Sequence, residues 1–266
     1  MDTGEYDGDY AQLCQSWNIE QARKMVYIQS DSERKLPHHF DAACAMYGAI
    51  ESCLNYRLTS FEEVQSGKFD NLIRSSHFVG SVEFMREVFT RVNKIPQPIL
   101  NNDSQYHTFT LEELRDRVLD GNEKWFVKPF QQKLFSGLVV DKYSISSLRE
   151  FPDDLNVMVY NVVDGIKSEW RIYVMNNKIQ DSRNYSGDFK ISPDYETVEN
   201  KIKCLKDQLP SVYTMDVGVY EDIYSSIRQR TFIVEFNDMY AIGNYGVENT
   251  LYLRMLKERY FEIIKN

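Results

Sequence analysis

Two segments near the C-terminal end alternate with a period of two: Val212-Tyr213-Thr214-Met215-Asp216-Val217-Gly218-Val219 and Thr231-Phe232-Ile233-Val234-Glu235-Phe236-Asn237-Asp238. That is the period of a β-strand, in which alternate side chains share a face. Glu235 and Asn237 are therefore expected to point one way, and Phe232, Val234 and Phe236 the other, with Asp216 opposite Met215 and Val217. If the strands are neighbours, two carboxylates and an amide oxygen gather at one place. Hard oxygen ligands grouped in this way suit Mg²⁺, which takes a few protein oxygens together with phosphates and water. Any half-exposed antiparallel strand shows the same alternation with its polar side chains in water, so spacing alone leaves both readings open.

The chain of 266 residues has room for one large domain or two smaller ones. Its 42% apolar and 27% charged residues are those of a globular protein with a substantial core. A net charge of −9 argues against a broad nucleic-acid surface. No apolar run approaches the length of a membrane helix, and the acidic start Met1-Asp2-Thr3-Gly4-Glu5-Tyr6 does not read as a signal peptide. Cys14, Cys44, Cys53 and Cys204 lack metal-ligand spacing and read as reduced thiols of a cytoplasmic protein. The four histidines form no zinc motif.

Residues 1–22 read as a polar extension, 23–98 as a small α/β unit and 99–266 as a second domain. In the α/β unit, Met25 to Gln29 is a strand, Phe40 to Leu54 a helix and Tyr56 to Phe61 a strand; Ser81 then caps a helix carrying Val82, Met85, Phe89 and Val92. Lys94 to Thr110 reads as a linker, loosest at Asn101-Asn102-Asp103-Ser104, after which Thr110 caps a short helix. Strands then follow in succession: Trp125 to Pro129, Gly137 to Asp141, Val157 to Val163, and a hairpin of Ser168 to Met175 with Lys178 to Tyr185 around Asn176-Asn177. A helix carries Val198, Ile202, Leu205 and Leu209, and a final helix follows Gly246.

Three further groups carry candidate chemistry. Lys128 shares a face with Phe126 at the end of an apolar strand; it can hold a phosphate as a point charge or snorkel from a sheet edge. Glu169 and Arg171 share a strand face opposite Trp170, Ile172 and Val174. They form either a surface pair of little energetic weight or the lining of a cleft, where the arginine clamps an anionic oxygen with two prongs. Arg183 is a weaker anion-binding candidate, with a solvated strand-end arginine as the alternative. The loop from Phe130 to Gly137 holds one glycine and does not match a P-loop. There is no nucleophile elbow, dinucleotide fingerprint or kinase signature.

In order, these blocks resemble the ATP-grasp superfamily, notably small phage and bacterial members without an assigned substrate. The likeness rests on the lysine strand Trp125 to Pro129 with Ser136-Gly137 after it, the apolar Val157 to Val163, the acid-x-arginine hairpin Ser168 to Ile179, the pair Asp216 and Glu235-Phe236-Asn237, and Ile242-Gly243-Asn244-Tyr245-Gly246 before the last helix. It covers roughly residues 95 to 266; Phe78 to Met85 resembles part of the α/β domain that precedes the grasp in such proteins. Two positions depart from the pattern: Thr214 stands where many ATP-grasp ligases carry an arginine, and the phosphate-covering loop is poor in glycine.

The resemblance implies an α+β ATP-grasp fold, in which two subdomains grip ATP, behind the small α/β domain. It implies ATP and Mg²⁺ as cofactors, with Lys128 on the phosphates, Val159, Tyr160, Asn161 and Val162 near adenine, and Glu169 in the nucleotide site. Asp216, Glu235 and Asn237 would be the metal ligands, and Arg171 and Arg183 would steady the carboxylate or the phosphoryl group. The expected activity is ADP-forming ligation of a carboxylate to an amine through an acylphosphate, with an amino acid, peptide or protein as substrate. Alternatives are a nucleotide-binding regulator that keeps the fold without turnover, and a ligase modifying nucleic acid. A homodimer is the base-rate expectation.

Overall fold

The computed structural model describes residues 25–96, 99, 106–121, 123–130, 134–221 and 229–265. The extension 1–22, Cys14 and the expected loose point at 101–104 lie outside the described residues. Three sheets organise the chain.

The first sheet is parallel, in the order β2-β1-β3, with β1 at Met25–Gln29, β2 at Asn55–Thr59 and β3 at His77–Val79. Parallel neighbours need crossovers. α1 (Phe40–Glu51) links β1 to β2; α2 (Phe61–Gln65) and α3 (Asp70–Ile73) link β2 to β3; and α4 (Val82–Thr90) follows. The strand expected through Phe61 stops at Thr59, because Ser60 forms a capping box with Glu63 and starts a helix. Ser81 caps α4 as expected, accepting from Phe84 N.

The second sheet is antiparallel, in the order β4-β7-β5-β6, with β4 at His107–Thr110, β5 at Trp125–Pro129, β6 at Leu138–Val140 and β7 at Asn156–Asn161. β4 occupies part of the expected linker. α5 (Leu111–Asp120), capped by Thr110 with Glu113, covers one face. On that face Val127, Val157 and Val159 are fully buried against Leu111, Leu114 and Val118. Phe126, Lys128, Met158 and Tyr160 alternate with those valines and take the other face.

The third sheet, β11-β10-β8-β9, is also antiparallel: β8 Ile166–Met175, β9 Lys178–Gly187, β10 Val212–Glu221 and β11 Gln229–Asp238. Asn176 and Asn177 have φ of 52° and 59°, as a two-residue turn with left-handed central positions requires. α6 (Tyr195–Leu205) packs Val198 and Ile202 on Ile172, Val174, Met215 and Val217. The alternation expected for Phe232, Val234 and Phe236 is corrected here. The register shifts beside Asp216, so Asp216 faces Glu235 while Val217 faces Ile233, leaving Val234 as the extra residue. This bulge reverses the phase. Ile233 and Phe236 enter the core, and Phe232 lies across from Gly218.

The last helix, α7 (Asn249–Lys265), returns to the first sheet. Leu253 and Leu256 join Val26, Ile28 and the alanines of α1, while Tyr260, Ile263 and Ile264 join Tyr27, Phe78 and α4. The unit at 23–98 thus shares both of its cores with the C-terminal helix. Among the described residues no helix is long and apolar enough to cross a membrane, and Cys44, Cys53 and Cys204 are free thiols.

Candidate active site

The third sheet faces the second across a cleft. β8 and β10 pair antiparallel with Arg171 directly opposite Asp216. Both are buried, and the guanidinium fork is fully engaged: Nε donates to Asp216 Oδ1 and Nη2 to Oδ2, each at 2.8 Å. Across the next seam Asp216 faces Glu235, and Thr214 faces Asn237. Asn237 Nδ2 donates to Asp216 Oδ2 and Glu235 Oε1, both at 3.2 Å. From the second sheet, Lys128 Nζ donates to Glu235 Oε2 at 2.6 Å. Lys128, Arg171, Asp216, Glu235 and Asn237 therefore form one connected cluster spanning the cleft.

Burial and pairing compete in these carboxyls. Burial pushes Asp216 above its ordinary value, against the hydrogen bonds and charge of Arg171. Burial also opposes ionisation of Glu235, but the Lys128 ammonium outweighs it and holds that carboxyl below its ordinary value. Tyr160 is pushed up to about 12, chiefly by burial, and stays a neutral phenol at physiological pH.

The cluster borders a cavity of about 930 Å³. Lys128, Gly137, Met158 and Tyr160 line it from the second sheet, Glu235 and Asn237 from the third, and His39, Asp41 and Ser81 from the first unit. The other expected residues lie as follows. The Val159 side chain is fully buried in the core on the far face of its sheet, and alternation gives the cavity to the side chains of Met158 and Tyr160. Asn161 ends β7 and is exposed, Val162 follows the strand, and neither lines the cavity. Glu169 is on the Arg171 face of β8, near Tyr185, and is also off the cavity. Arg183 is opposite Arg171 on β9, with its side chain 40% exposed and donating to Asp181 at 2.6 Å. The opposed prongs of Arg171 are on Asp216, not open to an anion, so the expected substrate clamp is here a partner of the buried acid. His39 and Asp41 were not singled out in the sequence; some two hundred residues separate them from Glu235, and no spacing links them.

Among the described residues no three His, Cys, Asp or Glu side chains converge on a metal position. Two carboxylates bridged by one amide do converge, and they are hard oxygen donors once Asn237 turns its amide to offer oxygen. In donor chemistry the set fits a magnesium ion. Thr214, fully buried on the same face, has no hydrogen-bond partner for its hydroxyl among the described residues.

No curated protein matches the sequence. Solved structures do match in fold. The ATP-grasp ligase PsnB, complexed with precursor peptide PsnA2 and AMPPNP, is 9% identical with a TM-score of 0.51, over 90% of this chain and 98% of that one. A RimK domain ATP-grasp protein from Sphaerobacter thermophilus is 11% identical with a TM-score of 0.50, over 91% and 98%. The purK enzyme, N5-carboxyaminoimidazole ribonucleotide synthetase, in its ADP complex is 11% identical with a TM-score of 0.53, over 89% and 77%. A family model for an ATP-grasp domain, the one numbered family 2 of its clade, matches residues 107–255, more than half of the chain. The sheets, the cleft and this match together place the protein in the ATP-grasp superfamily, within that family 2.

Proposed function

We propose that the protein is an ATP-dependent ligase joining a carboxylate to an amine. One observation carries the reading: Lys128 of one sheet lies 2.6 Å from Glu235 of the other, beside Asp216 and Asn237. A cation and an oxygen-donor set facing each other across a cavity are what a triphosphate requires.

In this reading ATP is a co-substrate. Lys128 leaves Glu235 to bind a phosphate oxygen as a point charge. Met158 and Tyr160 pack the base. Asp216, Glu235 and Asn237 would hold magnesium, which would supply neutralisation of charge on the phosphate oxygens. A substrate carboxylate oxygen attacks the γ-phosphorus, and ADP leaves, giving an acylphosphate. The amine nitrogen then attacks the acyl carbon, inorganic phosphate leaves, and the nitrogen loses its proton to solvent. The cleft's work is to position two anions and offset their repulsion. Arg171 favours the ionised form of Asp216 and opposes the effect of its burial. Arg183, with guanidinium donors beyond those on Asp181, steadies the substrate carboxylate. We favour an amino acid or peptide acceptor; PsnB, of like fold, is complexed with a precursor peptide.

The test is ADP release against pools of amino acids and peptides. Glu235→Gln is expected to abolish ATP-dependent turnover while leaving the fold intact, and full ADP production by that variant would refute the metal role. A second reading, a nucleotide binder without turnover, draws on Arg171 and Lys128 both being engaged by the acids of the metal set. ADP release with any acceptor ends it.

A further inference from the structure

The charges around the cavity do not cancel evenly. Lys128 pairs with Glu235, and Asp238 takes both prongs of the buried Arg259. Asp41, on the wall contributed by the first unit, is different: among the described residues neither lysine nor arginine pairs with it. His39 lies beside it, with Nδ1 3.9 Å from Oδ2. That nitrogen accepts a hydrogen bond from Ala42 N, as the N-cap of α1. A ring nitrogen that accepts that bond is not also a donor to Asp41, so the contact supplies no hydrogen bond to the carboxylate. Asp41 Oδ1 receives Asn244 N–H at 2.8 Å. Oδ2 has no hydrogen-bond donor among the described residues, and the side chain remains one-third exposed on the cavity.

The first turn of α1 favours an acid, and the bond to Asn244 gives Asp41 a structural duty. Neither needs the second oxygen, and neither explains a carboxylate oxygen left without a donor in a cavity shared with the Lys128–Glu235 cluster. Ile242 and Gly243 line the same cavity. The Ile242 carbonyl accepts from Tyr252 Oη and keeps a second lone pair, while the Gly243 carbonyl accepts from both Tyr173 Oη and Arg171 Nη1. The wall around Asp41 is thus made largely of acceptors.

We infer that Asp41 is a specificity-determining residue that selects a substrate bearing a primary ammonium group. The inference rests on the ligase reading for the role of that ligand as substrate, but the binding site itself does not depend on it. An α-amino group and a lysine-type side chain present the same head, and their stems distinguish them.

The experiment is ligand-observed NMR on the full chain with four probes: glycinamide and n-butylammonium as cations, acetamide and butanol as their neutral counterparts. Mg²⁺–ADP is titrated in the same samples. Wild type is expected to bind at least one cation and to reject its neutral counterpart; glycinamide alone marks an α-amine, n-butylammonium alone an alkylamine. Asp41→Asn keeps an oxygen for Asn244 N–H while removing the charge, and is expected to bind the cation at least tenfold more weakly with an unchanged melting temperature. Equal binding of charged and neutral probes to wild type, no binding of either cation, or undiminished cation binding by folded Asp41→Asn would overturn the inference. Loss of ADP binding with cation discrimination intact would count against the ligase reading and leave the ammonium site standing.

Discussion

Lys128 and Glu235 are 107 residues apart in sequence and belong to different sheets, yet their charged atoms lie 2.6 Å apart. The contact fixes the separation of the two walls at the place where a phosphate chain would enter. It also holds Glu235 ionised against its burial.

Replacing the lysine should show this directly. Lys128→Met removes the phosphate ligand and leaves Glu235 without its cation. A lost charge-assisted hydrogen bond is worth about 1.5–3 kcal/mol, so Mg²⁺–ADP affinity should fall at least about tenfold. Isothermal titration of both proteins checks it, and equal affinities would remove Lys128 from the nucleotide site.

Arg171 and Asp216 should behave as one unit. Arg171→Met leaves a buried carboxylate alone, at an expected cost of about 3–5 kcal/mol in unfolding free energy. The double variant Arg171→Met with Asp216→Leu should recover much of that loss while remaining inactive. Urea denaturation of wild type, Arg171→Met, Asp216→Leu and the double variant measures the coupling, and additive losses would show the pair to be independent.

His77 gives a pH signature remote from the cleft. Both ring nitrogens are buried without hydrogen-bond partners among the described residues, and burial, then the charge of Lys257, lowers its value to about 3. The unfolded chain keeps an ordinary histidine near 6.5. Between these values the unfolded state binds the extra proton, so stability is full above the upper one and falls as pH drops towards the lower one. From about pH 7.5 to about pH 5 this group should cost about 2 kcal/mol. His77→Leu should remove that share of the slope; the same slope in both proteins would assign it elsewhere.

Gly48 marks the closest approach of α1 to α7. A Cβ there would run into the Asn249 carbonyl oxygen and lie 3.0 Å from Leu253 Cβ. Gly48→Ala should therefore destabilise by about 1–3 kcal/mol, despite its better helix propensity. Thermal unfolding checks the sign.

How much of this was legible depended on how local the signal was. The Asn176-Asn177 turn, the Ser81 and Thr110 caps and the faces of β8 are short-range patterns, and they stand as expected. The bulge at Val234 was not legible, because an extra residue leaves composition and apparent alternation unchanged while reversing the inward face. The face of β7 that meets the cavity was not legible for a related reason: a strand with apolar side chains on both faces does not show which one does. β4 was hidden in a polar stretch that pairs only because β7 lies beside it. Asp41 enters the site through tertiary contact, which no period in the chain encodes.

The return of α7 to the N-terminal sheet has a consequence for how the chain matures. During synthesis the first three strands emerge early, with Tyr27, Phe78 and the apolar side of α4 awaiting Tyr260, Ile263 and Ile264. Those partners leave the ribosome only after the two later sheets have been made. The parallel sheet must stay protected from aggregation until α7 is made, and a chain cut before Tyr260 would strand that sheet along with the helix.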